Sequence, residues 1–279
     1  MNDIIFKAEN IAFSYVDTDE YALKGFNIEL KRGRKIAFMG ANGSGKSTFF
    51  LCMNGILRPS EGKLILDGEE VEYSKNGLKR LRSKIGIVFQ DPDNQLFSAS
   101  VRQEISFGPL NMGHTAEEVA VEVDEIMEKL EITPFSGNPT HALSGGQKKQ
   151  VSIADVMVMK PEIIILDEPA SSLDPKHDMI LRGIVERMTE EGITVIISTH
   201  DVNFAYEWAD DVVLVHDGKV IAEDSPDRVF SDSALLDKTN LKQPTVLELF
   251  MSLVRKGILS SELETPKNIG ELETYIERI

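Results

Sequence analysis

A glycine-rich segment near the N-terminus carries the residue types that bind phosphate. Its residues are Gly40, Ala41, Asn42, Gly43, Ser44, Gly45, Lys46, Ser47 and Thr48. A predicted strand precedes it and a predicted helix follows, so its backbone N–H groups and the positive end of the helix can face an anion. Lys46 would neutralise the β- and γ-phosphates of a nucleotide, and the Ser47 hydroxyl would bind Mg²⁺. The alternative, a simple glycine-rich turn, does not account for the flanking strand and helix.

A second candidate anion site lies in segment 143–147, directly before another predicted helix. Ser144 suits the N-cap position of that helix, and Gly145 and Gly146 expose backbone N–H groups. Alone this is a weak signal, because Ser-Gly-Gly sequences are common in loops.

Two adjacent carboxylates, Asp167 and Glu168, follow the apolar run 163–166. Active sites of open α/β sheets lie at the carboxyl ends of such strands. Asp167 is placed to hold Mg²⁺ through its water shell, and Glu168 to polarise an attacking water as a general base. The alternative is a solvated strand end, and the four apolar residues directly before the pair argue against it.

Strand and helix patterns alternate along the chain and predict the fold that positions these residues. Apolar, β-branched runs predict strands buried on both faces at 34–39, 85–89, 163–166 and 194–198. Helical patterns occur at 46–57, 117–130, 144–159 and 175–190. This alternation predicts an α/β fold with a parallel core sheet. Antiparallel strands are predicted near 11–15, 26–30 and 63–71, where they would form a small β-subdomain, and at 211–216 and 219–222, which would form a closing hairpin.

The character of the chain changes near residue 229, and we expect a domain boundary there. Residues 1–228 would form a nucleotide-binding domain and 229–279 a small helical C-terminal domain. In the latter, Thr245 is predicted to cap a helix together with Glu248, and Gly257 to end it. A second apolar pattern at helical spacing comprises Ile269, Leu272, Ile276 and Ile279. Such faces either complete a core or bind a partner.

Composition narrows the possible functions. The 279 residues carry a net charge of −16, which argues against a nucleic-acid partner, because such partners require a concentrated basic face. Cys52 is the only cysteine, so an internal disulfide is excluded. No apolar run approaches the ~20 residues needed to span a bilayer and no signal peptide is expected, so a membrane role would depend on partner proteins. The five histidines form no pair at metal-ligand spacing, so no transition-metal site is expected.

Several motifs, taken together and in order, resemble those of the ABC (ATP-binding cassette) ATPase family over roughly the first 228 residues. They are Tyr15, segment 40–48, Gln90, the signature 143–147, the Asp167–Glu168 pair, Ser172-Leu173-Asp174, and His200. The resemblance implies a P-loop cassette with a helical subdomain. It also implies that two cassettes pair head to tail, with ATP and Mg²⁺ between the glycine-rich loop of one and the signature of the other. Ser144 and Gly146 would then contact the γ-phosphate in trans, and Asp174 would lie at the seam.

The same resemblance implies roles for three further residues. Tyr15 would stack on adenine, although a core aromatic beside Phe13 is the competing interpretation. Gln90 would contact Mg²⁺ and the γ-phosphate and relay their state to a membrane partner. His200 would contact the γ-phosphate and help to hold the attacking water.

Segments 89–97 and 105–110 look like the energy-coupling-factor branch of the family, which takes up vitamins and cobalt or nickel ions. A single cassette with a short helical tail is most similar to the cobalt-importer ATP-binding subunit. The resemblance implies a second ATPase subunit (identical or paralogous), a transmembrane coupling subunit and a substrate-binding membrane subunit. It also implies peripheral attachment at the cytoplasmic face of the membrane. The alternatives are an ordinary exposed loop at 89–97, a vitamin importer, or a soluble ABC ATPase outside transport.

Three residues depart from the family pattern: Gln150 replaces the usual Arg, Asp155 a small residue, and Ala170 the usual Thr. None of these changes removes a group that touches phosphate, so we expect an active ATPase. A soluble ABC protein of DNA maintenance or translation would need heptad insertions, two cassettes in one chain or a basic face, and none appears.

Overall fold

A six-stranded sheet lies at the centre of the molecule, and a four-stranded antiparallel sheet lies beside it. The computed structural model describes residues 3–16, 20–171 and 173–277. In chain order the strands are β1 (Ile4–Ser14), β2 (Tyr21–Lys31), β3 (Lys35–Met39), β4 (Glu61–Leu66), β5 (Glu69–Glu70), β6 (Ile85–Val88), β7 (Ile163–Asp167), β8 (Thr194–Ser198), β9 (Asp211–His216) and β10 (Lys219–Asp224). The central order is β10-β9-β3-β8-β7-β6, and the antiparallel order is β2-β1-β4-β5.

The central sheet is parallel except for the β9–β10 hairpin. All five residues of β8 and the first four of β7 are buried, which explains their continuous apolar runs, because helices cover both faces of the sheet. Ser198 pairs with both Phe38 of β3 and Asp167 of β7. The loops that follow these three neighbouring strands therefore meet at one edge of the sheet. The α/β fold and the antiparallel subdomain predicted from the sequence are both confirmed.

Eleven α-helices are present within the described residues. They are α1 (Lys46–Met53), α2 (Lys75–Lys84), α3 (Val101–Met112), α4 (Ala116–Lys129), α5 (Gly145–Met157), α6 (Pro175–Glu190), α7 (Val202–Trp208), α8 (Pro226–Ser231), α9 (Ser233–Thr239), α10 (Thr245–Arg255) and α11 (Ile269–Ile276). Apolar residues of α3, α4 and α5 share one buried cluster, which defines the helical subdomain. No helix in the described part of the chain is long and apolar enough to cross a membrane.

The C-terminal helices pack directly on the central sheet. Leu247 and Phe250 of α10 belong to the same buried cluster as Ala37 and Met39 of β3. Asp227 adds polar contacts, because its carboxylate accepts hydrogen bonds from the side chains of Tyr206, Thr265 and Lys267. The helices after residue 229 thus share a core with the rest of the chain, and the boundary at 229 stays a prediction.

One predicted helix cap is wrong. Pro244 occupies the N-cap position of α10, which has no side-chain cap, and Thr245 is the first helical residue. The Thr245 N–H is instead bound by the side chain of Asn203, 2.8 Å away, so a tertiary contact replaces the local one. The predicted end at Gly257 is confirmed by its φ of 68°. Ser172 and Ile279, which the sequence analysis singled out, lie outside the described residues.

Candidate functional site

The glycine-rich loop connects β3 to α1, as the sequence predicts. Gly40 and Gly45 adopt φ values of 147° and 109°, which residues with a side chain rarely adopt. Neighbouring backbone also excludes a side chain at both positions, because a Cβ at Gly40 would overlap the Val215 carbonyl oxygen and one at Gly45 would lie 2.8 Å from the Ala22 carbonyl oxygen. The loop therefore depends on glycine for both its conformation and its packing.

Two polar groups of this loop fit a phosphate group. Lys46 is 6% exposed, and its Nζ donates to the carbonyl oxygens of Gly40 at 2.8 Å and Ala41 at 3.2 Å. Burial lowers the pKa of Lys46, while the carboxylates of Glu168 and Asp167 oppose that shift. The Ser44 hydroxyl is buried without a hydrogen-bond partner in the described structure. A buried cation and an unsatisfied hydroxyl are what an anion bound in this loop would satisfy.

The loop also exposes the other predicted ligands. Asn42, Gly43 and Ser47 are exposed, whereas Thr48 is buried and its hydroxyl lies 3.0 Å from the Tyr15 hydroxyl. The Tyr15 ring packs edge-on against Phe13, with 5.1 Å between centroids, and remains 45% exposed. Tyr15 is thus both a partner of Phe13 and an aromatic surface beside α1.

The predicted metal carboxylate and general base lie at the end of β7. Asp167 accepts a hydrogen bond from the Ser198 hydroxyl, and that hydroxyl accepts one from the Glu168 N–H at 2.9 Å. Glu168 has a φ of 43°, a left-handed conformation that is costly for a residue with a side chain. This conformation and the shared serine turn the carboxylates of adjacent residues toward the same edge of the sheet.

Glu168 is the centre of a side-chain cluster. Its Oε1 lies 2.9 Å from Nε2 of His200, and its Oε2 accepts a hydrogen bond from Nε2 of Gln90 at 3.2 Å. The same His200 nitrogen lies 3.0 Å from Oδ1 of Asn42. Both neighbours of Nε2 are acceptors, so the contacts assign its proton to that atom. The structure therefore brings together Asn42, Gln90, Glu168 and His200, which come from four separate segments.

The second predicted anion loop also has the expected local structure. Ser144 caps α5 in a reciprocal capping box with Gln147, and Gly145 and Gly146 form the first turn. A Cβ at Gly146 would overlap the His177 ring, whose Nδ1 lies 2.8 Å from the Asp174 carboxylate.

Within the described residues, no hydrogen bond or ion pair joins this second loop or Asp174 to the glycine-rich loop. The two candidate anion sites are therefore separate in a single chain.

Lys149 is a residue of the site that sequence reasoning missed. It lies in α5, is 3% exposed, and its Nζ donates to the carbonyl oxygens of Phe89 and Gln90, both at 2.8 Å. Burial lowers the pKa of Lys149 to about 8, and the carboxylates of Asp167 and Asp91 oppose the shift. Helical periodicity could have indicated that Lys149 is buried, because it lies four residues before the buried Ile153 and therefore on the same face of α5.

These features define a P-loop ATPase cassette, with a phosphate loop, a strand-end carboxylate pair and a second glycine loop on a helical subdomain. The family described as ABC transporter matches residues 23–171. The chain belongs to this family, as relatives over nearly the whole chain also show, and it is an ATPase whose hydrolysis of ATP is coupled to transport.

Relatives and solved structures agree with this assignment. The chain is 44% identical to a putative ABC transporter ATP-binding protein of Methanothermobacter thermautotrophicus, over 97% of this chain and 96% of that protein. It is also 44% identical to the energy-coupling factor transporter ATP-binding protein EcfA2 of Clostridium perfringens, over 95% and 93% of the two chains. The structure of cbiO1 from Clostridium perfringens, part of the ABC transporter complex cbiONQ, aligns with a TM-score of 0.75 and 44% identity over 90% of this chain and 100% of that one. A dimeric ATP-binding cassette in a post-hydrolysis state, bound to ADP and Pi, aligns with a TM-score of 0.72 and 28% identity over 80% of this chain and 99% of that one.

Proposed function

We propose that this chain is the ATP-hydrolysing subunit of an energy-coupling-factor importer for cobalt or nickel ions. The observation that carries the proposal is the Glu168 carboxylate, held between Gln90 and His200 at the end of β7. The kinship with energy-coupling-factor proteins supports the type of importer. Segments 89–97 and 105–110 support the branch alone, and the metal-ion cargo rests on the resemblance of a single cassette with a short helical tail to the cobalt-importer ATP-binding subunit.

The phosphate chain of ATP would lie over the glycine-rich loop. Backbone N–H groups between Gly40 and Lys46, the Ser44 hydroxyl and the Lys46 ammonium would bind the phosphate oxygens. Ser47, Asp167 and Gln90 would supply the oxygen atoms that Mg²⁺ prefers. Mg²⁺, when bound, would neutralise charge on the β- and γ-phosphates.

Hydrolysis would begin with a water molecule beside Glu168. The carboxylate of Glu168 would accept a proton from this water as the water oxygen attacks the γ-phosphorus, and the bond from that phosphorus to the β,γ-bridging oxygen would break to release ADP. His200 would hold the carboxylate in position through its Nε2 proton and would contact the γ-phosphate, while Gln90 would respond to the loss of that phosphate. The exposed ring of Tyr15 would stack on the adenine.

A second cassette would complete each site. Ser144, Gly145 and Gly146 would offer the N-terminus of α5 to the γ-phosphate held by the opposite subunit. Asp174, which is exposed beside this loop, would lie at the seam. This arrangement explains why the two anion loops are separate within one chain.

An exposed aromatic pair in the part of the chain that follows Gln90 is the surface that we assign to the transmembrane coupling subunit. Phe97 and Phe107 are 66% and 48% exposed, and their ring centroids lie 4.9 Å apart. Leu110, one turn further along α3, is also exposed. Exposed apolar groups of this kind mark protein interaction sites. The subunit would therefore be peripheral at the cytoplasmic face of the membrane, and a separate membrane subunit would select the substrate.

The substitution Glu168→Gln tests the catalytic part of the proposal. We expect ATP binding to persist, turnover to fall by about 10²- to 10⁴-fold, and a stable dimer to accumulate with Mg-ATP on size exclusion. The matched control is Glu191→Gln at the exposed end of α6. A wild-type rate would remove Glu168 from the role of general base, and a monomer would refute the paired arrangement.

Co-purification from membranes followed by uptake assays tests the transport part. The bound subunits should include a transmembrane coupling protein, and vesicles containing the complex should accumulate Co²⁺ or Ni²⁺ with ATP. Uptake of a vitamin instead would refute the metal cargo and retain the motor role. Absence of any membrane subunit would refute both.

A further inference from the structure

The backbone at Gln90 is held in place by side chains rather than by the sheet. Strand β6 ends at Val88, so the Phe89 and Gln90 carbonyl groups lie beyond its ladder with β7. Lys149 donates to both carbonyl oxygens at 2.8 Å. The N–H of Phe89 donates to the Gln95 side chain at 3.3 Å.

Both supports lead to one helix. Lys149 is part of α5, and the Gln95 amide donates to the Ser152 carbonyl and the Asp155 carboxylate of that helix, at 3.0 and 3.2 Å. The N-terminus of α5 carries the Ser144–Gly146 loop, about one turn before Lys149. The backbone at Gln90 is therefore fixed to the element that presents the second anion loop.

Lys149 satisfies two backbone carbonyl groups with a buried ammonium, as Lys46 does in the glycine-rich loop. Burying an ammonium is costly unless it is well paired, and most lysines of this chain are exposed or paired at the surface. The result is a short, charge-assisted support directly under the side chain that contacts Glu168. A small displacement of the Gln90 side chain, which contacts Glu168, would therefore lower turnover without a corresponding loss of ATP binding.

We propose that Lys149 is a positioning residue that sets where the Gln90 amide meets Glu168 and thereby ties the hydrolysis site to α5. The inference rests on the roles given above to Gln90 and Glu168. A shift of α5 would move the Gln90 backbone with it, so the state of the second anion loop would reach the hydrolysis site of the same chain through two hydrogen bonds.

A double-mutant cycle on the purified full chain tests this proposal. Lys149→Met should lower kcat by about 10- to 100-fold and change KM for ATP by less than about threefold. Gln90→Ala should lower kcat by itself, and the double variant should be no slower than Gln90→Ala, because Lys149 acts through Gln90. Lys129→Met, in an exposed ion pair with Glu191, is the matched control and should keep the wild-type rate.

Each contrary result has a distinct meaning. A wild-type kcat in Lys149→Met overturns the positioning role alone. The same conclusion follows if the double variant loses kcat by the product of the two single-variant effects. A wild-type kcat in Gln90→Ala overturns the role of Gln90 and the proposal that depends on it. Thermal unfolding should show that each variant is folded. If Lys149→Met is not, Lys149→Gln replaces it in the same cycle with a smaller loss of kcat expected, because a shorter and uncharged amide takes the place of the ammonium. A wild-type kcat in that variant likewise overturns the positioning role.

Discussion

Replacing Asp155 by asparagine should stabilise the protein at pH 8 much more than at pH 5. Burial raises the pKa of Asp155 to about 7, opposed by a hydrogen bond from Gln95 and reinforced by the nearby carboxylate of Glu104. The Gln95 amide donates to Oδ2 of Asp155 at 3.2 Å, and an asparagine oxygen can accept the same bond. The substitution therefore removes the charge and keeps the contact.

The size of the effect follows from the difference between the folded and unfolded carboxyl groups. The unfolded group has a pKa of 3.8 and is ionised throughout this range, whereas the folded group binds a proton below about pH 7. The folded state holds more protons between these values, so its stability falls as pH rises through the window. The interval from pH 5 to the folded-state pKa near 7 is about two pH units, so the wild-type protein loses about 2.5 kcal/mol of stability over it. The advantage of Asp155→Asn should grow by that amount between pH 5 and pH 8.

Urea unfolding followed by circular dichroism at both pH values measures the effect. Comparing variant with wild type at each pH cancels the titration of all other groups. Asp237→Asn, at an exposed position on α9, is the matched control. A constant difference for Asp155→Asn would refute the raised pKa of this carboxyl group.

Three further predictions concern the phosphate loop, the second loop and the C-terminal helices. Lys46→Ala removes a buried ammonium, so equilibrium binding should show Mg-ATP affinity about 10- to 100-fold weaker, and unchanged affinity would defeat the phosphate-loop assignment. Gly146→Ala should lower the free energy of unfolding by about 1 to 3 kcal/mol, because the new Cβ would overlap the His177 ring. Adding His177→Ala should recover most of that loss, and no recovery would show that the ring is not the obstacle. Asp227→Ala leaves three side-chain donors without their common acceptor, so urea unfolding should show a loss of about 2 kcal/mol, and a negligible loss would mean that apolar packing alone holds the C-terminal helices.

Local signals were sufficient for much of the fold and for the phosphate loop. The helix predicted at 175–190 and the strand predicted at 194–198 have the same bounds in the structure. The N-cap residue Asp174 marks the start of the helix, and a continuous apolar run marks the strand. The helix predicted at 46–57 ends earlier, at Met53, because Gly55 adopts a φ of 71°. The order of motifs indicated the family correctly, and the roles of individual site residues stay predictions.

What the sequence did not reveal depends on contacts between distant segments. Helical periodicity places Lys149 on the same face of α5 as Ile153, but it does not show that the chain after β6 returns beside α5 and accepts two hydrogen bonds from this lysine. Thr245 has the composition of a helix cap, yet the Asn203 side chain binds its N–H from 42 residues away. Helices α2 and α3 were not predicted, because the former is mostly polar and the latter contains Gly108 and Pro109. Tertiary contacts override local preference in each of the first two cases.

The shared core of β3, α7 and the C-terminal helices joins the tail to two segments that lead into or follow the candidate site. Strand β3 leads into the phosphate loop, and α7 begins two residues after His200. Both contribute residues to the buried cluster that contains Leu247 and Phe250. A substitution that removes apolar contacts from the tail side of this cluster should therefore loosen the support of both segments.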